Sequence, residues 1–245
     1  MPANADPSES AEPAGSRRER LRRQTLGEIK EHALGQVADG GAAALSLNAI
    51  GKAMGMSGPA IYRYFPSRDA VLSALVTDGY AQLTAVLEQA DAGARRRTPE
   101  RRLEVLAEAY RTWATAQPQL YALLFGLRPA GYEDGDEAIA AIQGAMEVLL
   151  RTIGAIAVGP RPRRPRDALD EQLLRWAASR GSTGAGEDPD PLVLRLGVLT
   201  WTRLHGLLGL ELAGILGDMD LDPVALLAAE LRTVVDAASG PGDPA

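Results

Sequence analysis

The chain has 245 residues, of which 46% are hydrophobic, and a net charge of −6 at pH 7. This length and apolar content suffice for a sizeable core, and the acidic balance argues against a non-specific nucleic-acid-binding protein. The absence of cysteine excludes disulfides and thiolate metal sites. No stretch approaches the roughly 20 apolar residues that a membrane-spanning helix needs, and a cytoplasmic protein is expected.

The N-terminal quarter of the chain begins with a polar segment. Residues 1–16 are Pro, Ala, Ser, Glu and Gly without apolar periodicity, which predicts a disordered arm. A first helix is predicted over 17–39, because apolar residues recur there at steps of three and four. Its start is rich in arginine, which is compatible with a phosphate contact or with a solvated charged end. Residues 17–68 hold nine basic and four acidic side chains, and a basic module on an acidic body is typical of a sequence-specific DNA-binding protein.

Two short helices separated by a tight turn are predicted next. Ser46 is a favourable N-cap for the first of them, and Gly55 ends it, because glycine reaches the left-handed conformation without a Cβ penalty. Ser57 can cap the second helix, where Pro59 occupies the first turn. Helix, glycine turn and helix is the helix-turn-helix pattern, in which the second helix enters the DNA major groove.

The second short helix carries an unusual outward cluster, formed by Tyr62, Arg63 and Tyr64. A solvated helix face is usually made of Lys, Glu and Gln, whereas these residues suit DNA. Arginine can donate two hydrogen bonds to a guanine edge, and tyrosine hydroxyls can reach phosphates. The alternative is an ordinary pair of antiparallel helices with buried tyrosines.

The segment from Ser46 to Asp69 resembles the helix-turn-helix of the tetracycline-repressor (TetR) family. The resemblance lies in Ile-Gly, a turn ending in Met-Ser, then Ile-Tyr-Arg-Tyr-Phe and a Ser-Arg-Asp helix start. It implies DNA contacts from Ser46, Asn48, Ser57, Gly58, Pro59, Ala60, Tyr62, Arg63, Tyr64 and Arg68. Family members often carry Lys, Gly and Thr at positions 58–60, so this chain lacks one phosphate-binding cation.

The remainder of the chain predicts further helices and no strands. A helix from Ser67 to about Ala90 leads into a body of amphipathic helices, which includes one continuous helix from Pro191 to Leu216 and a last one that begins at Pro223. The predicted fold is all-α: an arm (1–16), a three-helix helix-turn-helix DNA-binding domain (17–66), a larger helical ligand-binding and dimerisation domain (67–239) and a tail (240–245).

The last two long helices predict a homodimer. Interior glycines cost roughly 1 kcal/mol each relative to alanine, and close approach of another helix is the usual reason for them. Two such helices from each of two subunits would form a four-helix interface. The predicted interface residues are Gly206, Gly209, Ala213, Leu227, Leu231 and Val235. The Trp-x-x-x-His-Gly pattern at 201–206 also resembles a C-terminal domain of the Trp-His-Gly type, found in one TetR subgroup.

The family resemblance further implies a pocket for a small-molecule inducer. Aromatic residues make up only 4% of the chain, yet several fall on the body helices. Each could be ordinary core, but together they suggest a cavity for an apolar or aromatic molecule. The candidate ligand-binding residues are Tyr110, Trp113, Tyr121, Phe125, Gln143, Met146, Trp176, Trp201 and His205.

Nothing in the sequence indicates an enzyme. No phosphate-binding loop, dinucleotide fingerprint or His/Asp/Glu cluster at metal spacing is present, so no catalytic residue, metal or cofactor is expected. The predicted function is a dimeric regulator, most simply a repressor that binds a palindromic operator and is released by an effector. Two alternatives stay open, an effector-independent DNA-binding protein and a helical enzyme with a vestigial DNA-binding head.

Overall fold

The computed structural model describes residues 14–126, 132–158, 165–179 and 190–239. Within these ranges the fold is all-α, as predicted, with eleven α-helices and one short 3-10 helix, Ala42–Ala44. The helices are α1 (Ala14–Gly40), α2 (Leu47–Ala53), α3 (Gly58–Ile61), α4 (Arg68–Gly93), α5 (Pro99–Ala116), α6 (Pro118–Phe125), α7 (Asp136–Ile156), α8 (Ala168–Ser179), α9 (Pro191–Leu212), α10 (Ile215–Asp218) and α11 (Pro223–Ser239). Of the predicted arm and tail, residues 1–13 and 240–245 lie outside the described residues.

The chain divides into two compact units, residues 1–75 and 76–245. The sequence placed the boundary nine residues earlier, ahead of α4, whereas the division falls inside this helix. In the first unit, α1 packs on the 3-10 helix and on α2, and α2 packs on α3. Its core is formed by fully buried side chains of α1, α2 and α3, namely Ile29, Ala33, Ile50 and Ile61.

The second unit is a helical body. Helices α5, α7, α9 and α11 pack on one another, α8 covers α9, and α6 packs on α5. Fully buried aliphatic and aromatic side chains fill the interior, among them Leu103, Tyr110, Leu124, Leu150, Ile153, Leu194 and Leu208. These residues recur at helical spacing along each helix, which is why the apolar stripes were visible in the sequence.

The predicted capping side chains form hydrogen bonds at the helix starts, with one exception. The side chain of Ser46 accepts a hydrogen bond from the amide of Ala49 at 3.3 Å, and Ser67 accepts from Ala70 at 3.1 Å. Each satisfies a backbone donor that the first helical turn leaves free. Ser57 occupies the N-cap position of α3 as predicted, but its side chain forms no capping hydrogen bond.

The long helix predicted from Pro191 to Leu216 is interrupted. Helix α9 ends at Leu212, Gly214 adopts the left-handed conformation with φ 78°, and the four-residue α10 follows. A glycine in this conformation is a common helix terminator. The prediction failed because this segment contains several glycines, and the sequence pattern does not tell which of them leaves the helical region.

Two helices, Arg68–Gly93 and Asp136–Ile156, are long and apolar enough by length and composition to cross a membrane. The expectation that no stretch approaches that length is therefore wrong on these criteria. The core helix of a soluble protein meets the same criteria. These two helices also contact each other, since the hydroxyl of Thr84 donates to the carbonyl of Ala141 at 2.6 Å.

Candidate nucleic-acid interface and ligand groove

The first candidate site is formed by α2, α3 and the turn between them. Gly55 has φ 66°, as the turn prediction required, and lets the chain reverse directly after α2. Ile61 and Phe65 are buried, so the intervening residues are directed away from the core of the unit. Backbone hydrogen bonds continue past α3, for example from the amide of Tyr64 to the carbonyl of Ile61 at 2.9 Å.

The predicted outward cluster lies largely at the surface. Tyr62 is 45% exposed, Arg63 is exposed and Tyr64 is half-buried. The hydroxyl of Tyr62 donates to the side-chain oxygen of Asn48 at 3.3 Å, so one hydrogen bond joins α2 to the residues that follow α3. This bond places two of the predicted DNA-binding side chains on one surface.

Other predicted DNA-binding residues lie nearby but differ in exposure. Ser57, Gly58 and Pro59 are exposed, and Ala60 is half-buried. Arg68 is also half-buried, and its Nη2 donates to the carbonyl of Ala42 at 2.6 Å. Part of the Arg68 guanidinium is therefore engaged inside the same unit, where it holds the 3-10 helix.

The second candidate site is an aromatic cluster in the helical body. Tyr110 stacks on Trp201, with ring centroids 5.6 Å apart and an interplanar angle of 8°. Tyr110 also stacks on Trp113 at 6.1 Å, and Phe125 lies 4.2 Å from the ring of His205. With Tyr121, these six predicted ligand-binding residues come from α5, α6 and α9 and form one connected group.

His205 is held by two tyrosine hydroxyls. The hydroxyl of Tyr110 lies 3.2 Å from Nε2 of His205, and that of Tyr121 lies 3.1 Å from Nδ1. Burial lowers the pKa of His205 to about 4 and raises the pKa of Tyr121 to about 12. It also raises the pKa of Tyr110 above its ordinary value. All three groups are therefore uncharged at neutral pH, since burial disfavours the ionised form of each.

An open groove of about 590 Å³ borders this cluster. Its walls are α6 and α9, and Tyr121, Phe125, Trp201 and His205 contribute aromatic surface. The other lining residues are Pro118, Ala122, Gly126, Gly209, Leu212 and Ala213. Among the described residues, no charged side chain lines the groove, so this part of it suits a ligand that is mostly apolar.

Several predicted ligand-binding residues lie elsewhere. Tyr110 and Trp113 are buried behind the groove and do not line it. Gln143 and Met146 lie half-buried on α7, and Trp176 lies half-buried on α8. None of the ring contacts among the described residues involves Trp176. The sequence missed Pro118, Ala122, Gly126 and Leu212, because small and aliphatic residues carry no signal that separates a groove wall from ordinary core.

The residues predicted for the dimer interface fall into two groups. Gly206 and Gly209 lie exposed on α9, and Ala213 is exposed directly after the last residue of this helix. In contrast, Leu227 and Leu231 are buried, within the contact between α9 and α11 of the same chain. Val235 is half-buried.

A half-buried ion pair joins α5 to α9. The guanidinium of Arg111 donates two hydrogen bonds to the carboxylate of Glu211, from Nε at 2.9 Å and from Nη2. This bidentate contact holds the end of α9 in place. Among the described residues, no group of three or more His, Asp or Glu side chains is arranged to hold a metal ion.

A helix-turn-helix unit joined to a helical body defines a transcriptional regulator, and comparisons with known proteins agree. Residues 29–75 match the family model described as bacterial regulatory proteins, tetR family. Residues 103–234 match the model described as tetracyclin repressor-like, C-terminal domain. The chain therefore belongs to the TetR family. It is a helix-turn-helix transcriptional regulator, acts inside the cell, and is not an enzyme.

Individual relatives support this assignment. The chain is 32% identical over 224 residues to the HTH-type transcriptional regulator Rv1816 of Mycobacterium tuberculosis, which covers 90% of this chain and 94% of the relative. It is 38% identical to the chain in the crystal structure of the regulatory protein SCO4313, with a TM-score of 0.73. The match covers 88% of this chain and 97% of that chain. The regulator FadR of Bacillus subtilis, whose crystal structure contains stearoyl-CoA, shares the fold at 18% identity and a TM-score of 0.50. The match covers 86% of this chain and 97% of that chain.

Proposed function

We propose that this chain is a homodimeric, cytoplasmic repressor that binds a palindromic DNA operator and is released by a small, uncharged, apolar or aromatic effector. The observation that carries the DNA-binding half is the exposed surface of Tyr62 and Arg63, linked to α2 by the hydrogen bond from Tyr62 to Asn48. An exposed arginine beside tyrosines is suited to major-groove contact.

Within this surface, we assign Arg63 to base recognition and the surrounding polar groups to the phosphate backbone. The predicted contact set stays as the family resemblance implies it: Ser46, Asn48, Ser57, Gly58, Pro59, Ala60, Tyr62, Arg63, Tyr64 and Arg68. The departure at positions 58–60 leaves the start of α3 without a cation. Affinity should therefore depend more strongly on arginines elsewhere in the unit.

The homodimer is supported by the glycines of α9. A Cβ atom built at Gly206 or Gly209 would meet nothing within 4 Å, so close packing within the chain does not explain these residues. At Gly197 of the same helix, a Cβ would collide with the side chain of Leu150, which does explain that glycine. We assign the exposed residues at 206–213, with the neighbouring α11, to contact with a second subunit, which would then border the groove that Gly209 and Ala213 also line. The Trp-His-Gly resemblance at 201–206 falls on this helix and remains part of the proposal.

The effector site is supported by the groove between α6 and α9. Its volume of about 590 Å³ is within the range of small-molecule sites. Aromatic walls suit an aromatic or apolar ligand, and the neutral pair Tyr121 and His205 offers hydrogen bonds without charge. The described part of the lining offers no opposite charge to a charged ligand, so desolvation of such a ligand there would be costly.

Release of DNA is proposed to pass through α6 into α4. The hydroxyl of Tyr80 in α4 donates to the carbonyl of Leu124 in α6 at 3.2 Å. A Cβ at Gly79 would lie 2.9 Å from Leu120, so these helices touch closely. Helix α4 continues into the DNA-binding unit, and a ligand that displaces α6 would therefore move α4. Two heads on a palindrome require a fixed separation, which makes binding sensitive to small movements.

The DNA-binding half can be tested by selection from a random-sequence duplex library, followed by anisotropy titration on the recovered sequence. An inverted repeat bound by two protomers supports the proposal. Recovery of no preferred sequence contradicts it. If the operator is recovered but no compound weakens its binding in a screen of neutral aromatic molecules, the effector-independent alternative is favoured.

A further inference from the structure

A basic cleft lies between α1 and the residues that follow α3. It measures about 540 Å³ and lies wholly within the DNA-binding unit. Four arginines, Arg17, Arg18, Arg22 and Arg63, line it together with Thr25 and Tyr64. Of the lining residues, the helix-turn-helix motif itself includes only Arg63 and Tyr64, and α1 supplies the other five, Leu21 among them.

A side-chain contact connects the two sides of the cleft. Arg18 and Arg22 are four residues apart and share one face of α1. The guanidinium of Arg22 lies over the ring of Tyr64, 5.3 Å from its centroid, which is a cation–π contact. This contact links the arginine row of α1 to the residues that follow α3.

The part of the chain that the structure describes supplies no counter-charge to the cleft. Among the described residues, none of these four guanidinium groups has a carboxylate within ion-pair distance, and all four arginines are exposed. Like charges that converge on one cleft repel one another, and a polyanion placed there removes this repulsion. The cleft shares Arg63 and Tyr64 with the proposed base-reading surface, so duplex DNA bound there would run directly into it.

We propose that this cleft binds the phosphate backbone of the duplex flanking the half-site, through sequence-independent contacts from Arg17, Arg18 and Arg22. This inference rests on the proposed DNA-binding function and adds α1 to its binding surface. It also provides cations that positions 58–60 lack. Each arginine that neutralises a phosphate releases counterions, so binding should weaken with salt in proportion to the number of contacts.

The test is an anisotropy titration of a random-sequence duplex of about 40 base pairs, roughly four helical turns, over a series of salt concentrations. For duplex DNA, the slope of log K against log salt changes by about 0.9 for each phosphate contact. The Arg17/Arg18/Arg22→Ala variant should therefore lose about 2–3 from the magnitude of the slope and bind roughly tenfold or more weakly at moderate salt. The Arg17/Arg18/Arg22→Lys variant keeps the charge and should retain most of the slope.

A matched control removes the same charge elsewhere. Arg95, Arg96 and Arg97 are exposed in the other unit, and their joint replacement by alanine should leave the slope unchanged. Circular dichroism melts check that the α1 variants fold. An unchanged slope in the α1 alanine variant, an equal loss in the control, or a failure of the lysine variant to retain the slope would each overturn the proposal. The sequence preference of the wild-type protein reports separately on the proposed function.

Discussion

The hydroxyl of Tyr121 and Nδ1 of His205 lie 3.1 Å apart, in a hydrogen bond that joins α6 to α9 across the floor of the groove. Because His205 also contacts the hydroxyl of Tyr110, both ring nitrogens have a partner. The imidazole is therefore fixed in orientation and uncharged at neutral pH, and the described residues of the groove lining carry no formal charge. This arrangement has a measurable consequence for stability.

Lowering the pH should destabilise the fold through His205. Its pKa is about 4 in the folded chain, against 6.5 for an ordinary histidine, so between these pH values the unfolded chain binds more protons. The free energy of unfolding should fall by on the order of 3 kcal/mol as the pH drops from 6.5 to 4, and it should level off below that range. Urea denaturation at a series of pH values measures this dependence. The His205→Gln variant should lose that component, and an unchanged dependence would contradict the assignment.

Loss of the Arg63 side chain should relax DNA recognition at one position in each half-site. A bidentate arginine–guanine contact contributes about 1–3 kcal/mol of discrimination. Competition of Arg63→Ala and wild type against single-base operator variants measures the change. Arg68→Ala is the comparison, and its loss should be uniform across sequences, because Arg68 holds the 3-10 helix and is assigned to backbone contact. Equal selectivity of Arg63→Ala and wild type would remove Arg63 from base recognition.

Replacing Gly206 should separate the subunits. The Gly206→Glu variant places a charge on the proposed interface, where no partner would compensate its burial. Light scattering should give a mass near the 25.9 kDa of one chain, while the wild type gives twice that mass. Gly93→Glu makes the same change at an exposed helical glycine outside the proposed interface and should remain dimeric. A dimeric Gly206→Glu protein would exclude this part of α9 from the interface.

Two glycines of α9 should respond oppositely to a larger side chain. Gly197→Val would force atoms into Leu150, which is 1% exposed, and overpacking of this kind costs about 1–3 kcal/mol. Gly206→Ala meets open space within the chain and should raise helix propensity by roughly 1 kcal/mol. Denaturation at low protein concentration measures both effects on the monomer. Equal stability of the two variants would contradict the packing described for Gly197.

The helix-turn-helix was predictable because local chemistry specifies it. A cap at Ser46 and a left-handed glycine at Gly55 define the ends of α2, and each acts over a few residues. The interruption at Gly214 was not predictable, because α9 contains other glycines that stay helical. Their conformation depends on packing, which the sequence pattern does not display.

The groove was predictable only in part. Helical spacing shows which residues share a face of one helix, but it does not show which faces of different helices meet. Tyr121 and Trp201 were selected as aromatic residues in an aromatic-poor chain and do line the groove. The same reasoning predicts Trp176 as a ligand-binding residue, but it lies on α8, outside the groove lining. The prediction fails because residue type alone does not determine which helix lies beside α6.

Control of DNA binding by the groove is tested most directly by a calorimetric titration of one effector with and without operator DNA. The effector is found by thermal-shift screening of neutral aromatic compounds. If the groove controls the DNA-binding unit, operator DNA must lower the affinity for the effector. The factor must equal that by which the effector lowers the affinity for operator DNA, typically about 5–150-fold. Ala122→Leu, which narrows the groove from α6, should abolish effector binding and leave operator binding intact. Control by the groove predicts that effector affinity falls when operator DNA is present, whereas equal effector affinity in both titrations would contradict this control.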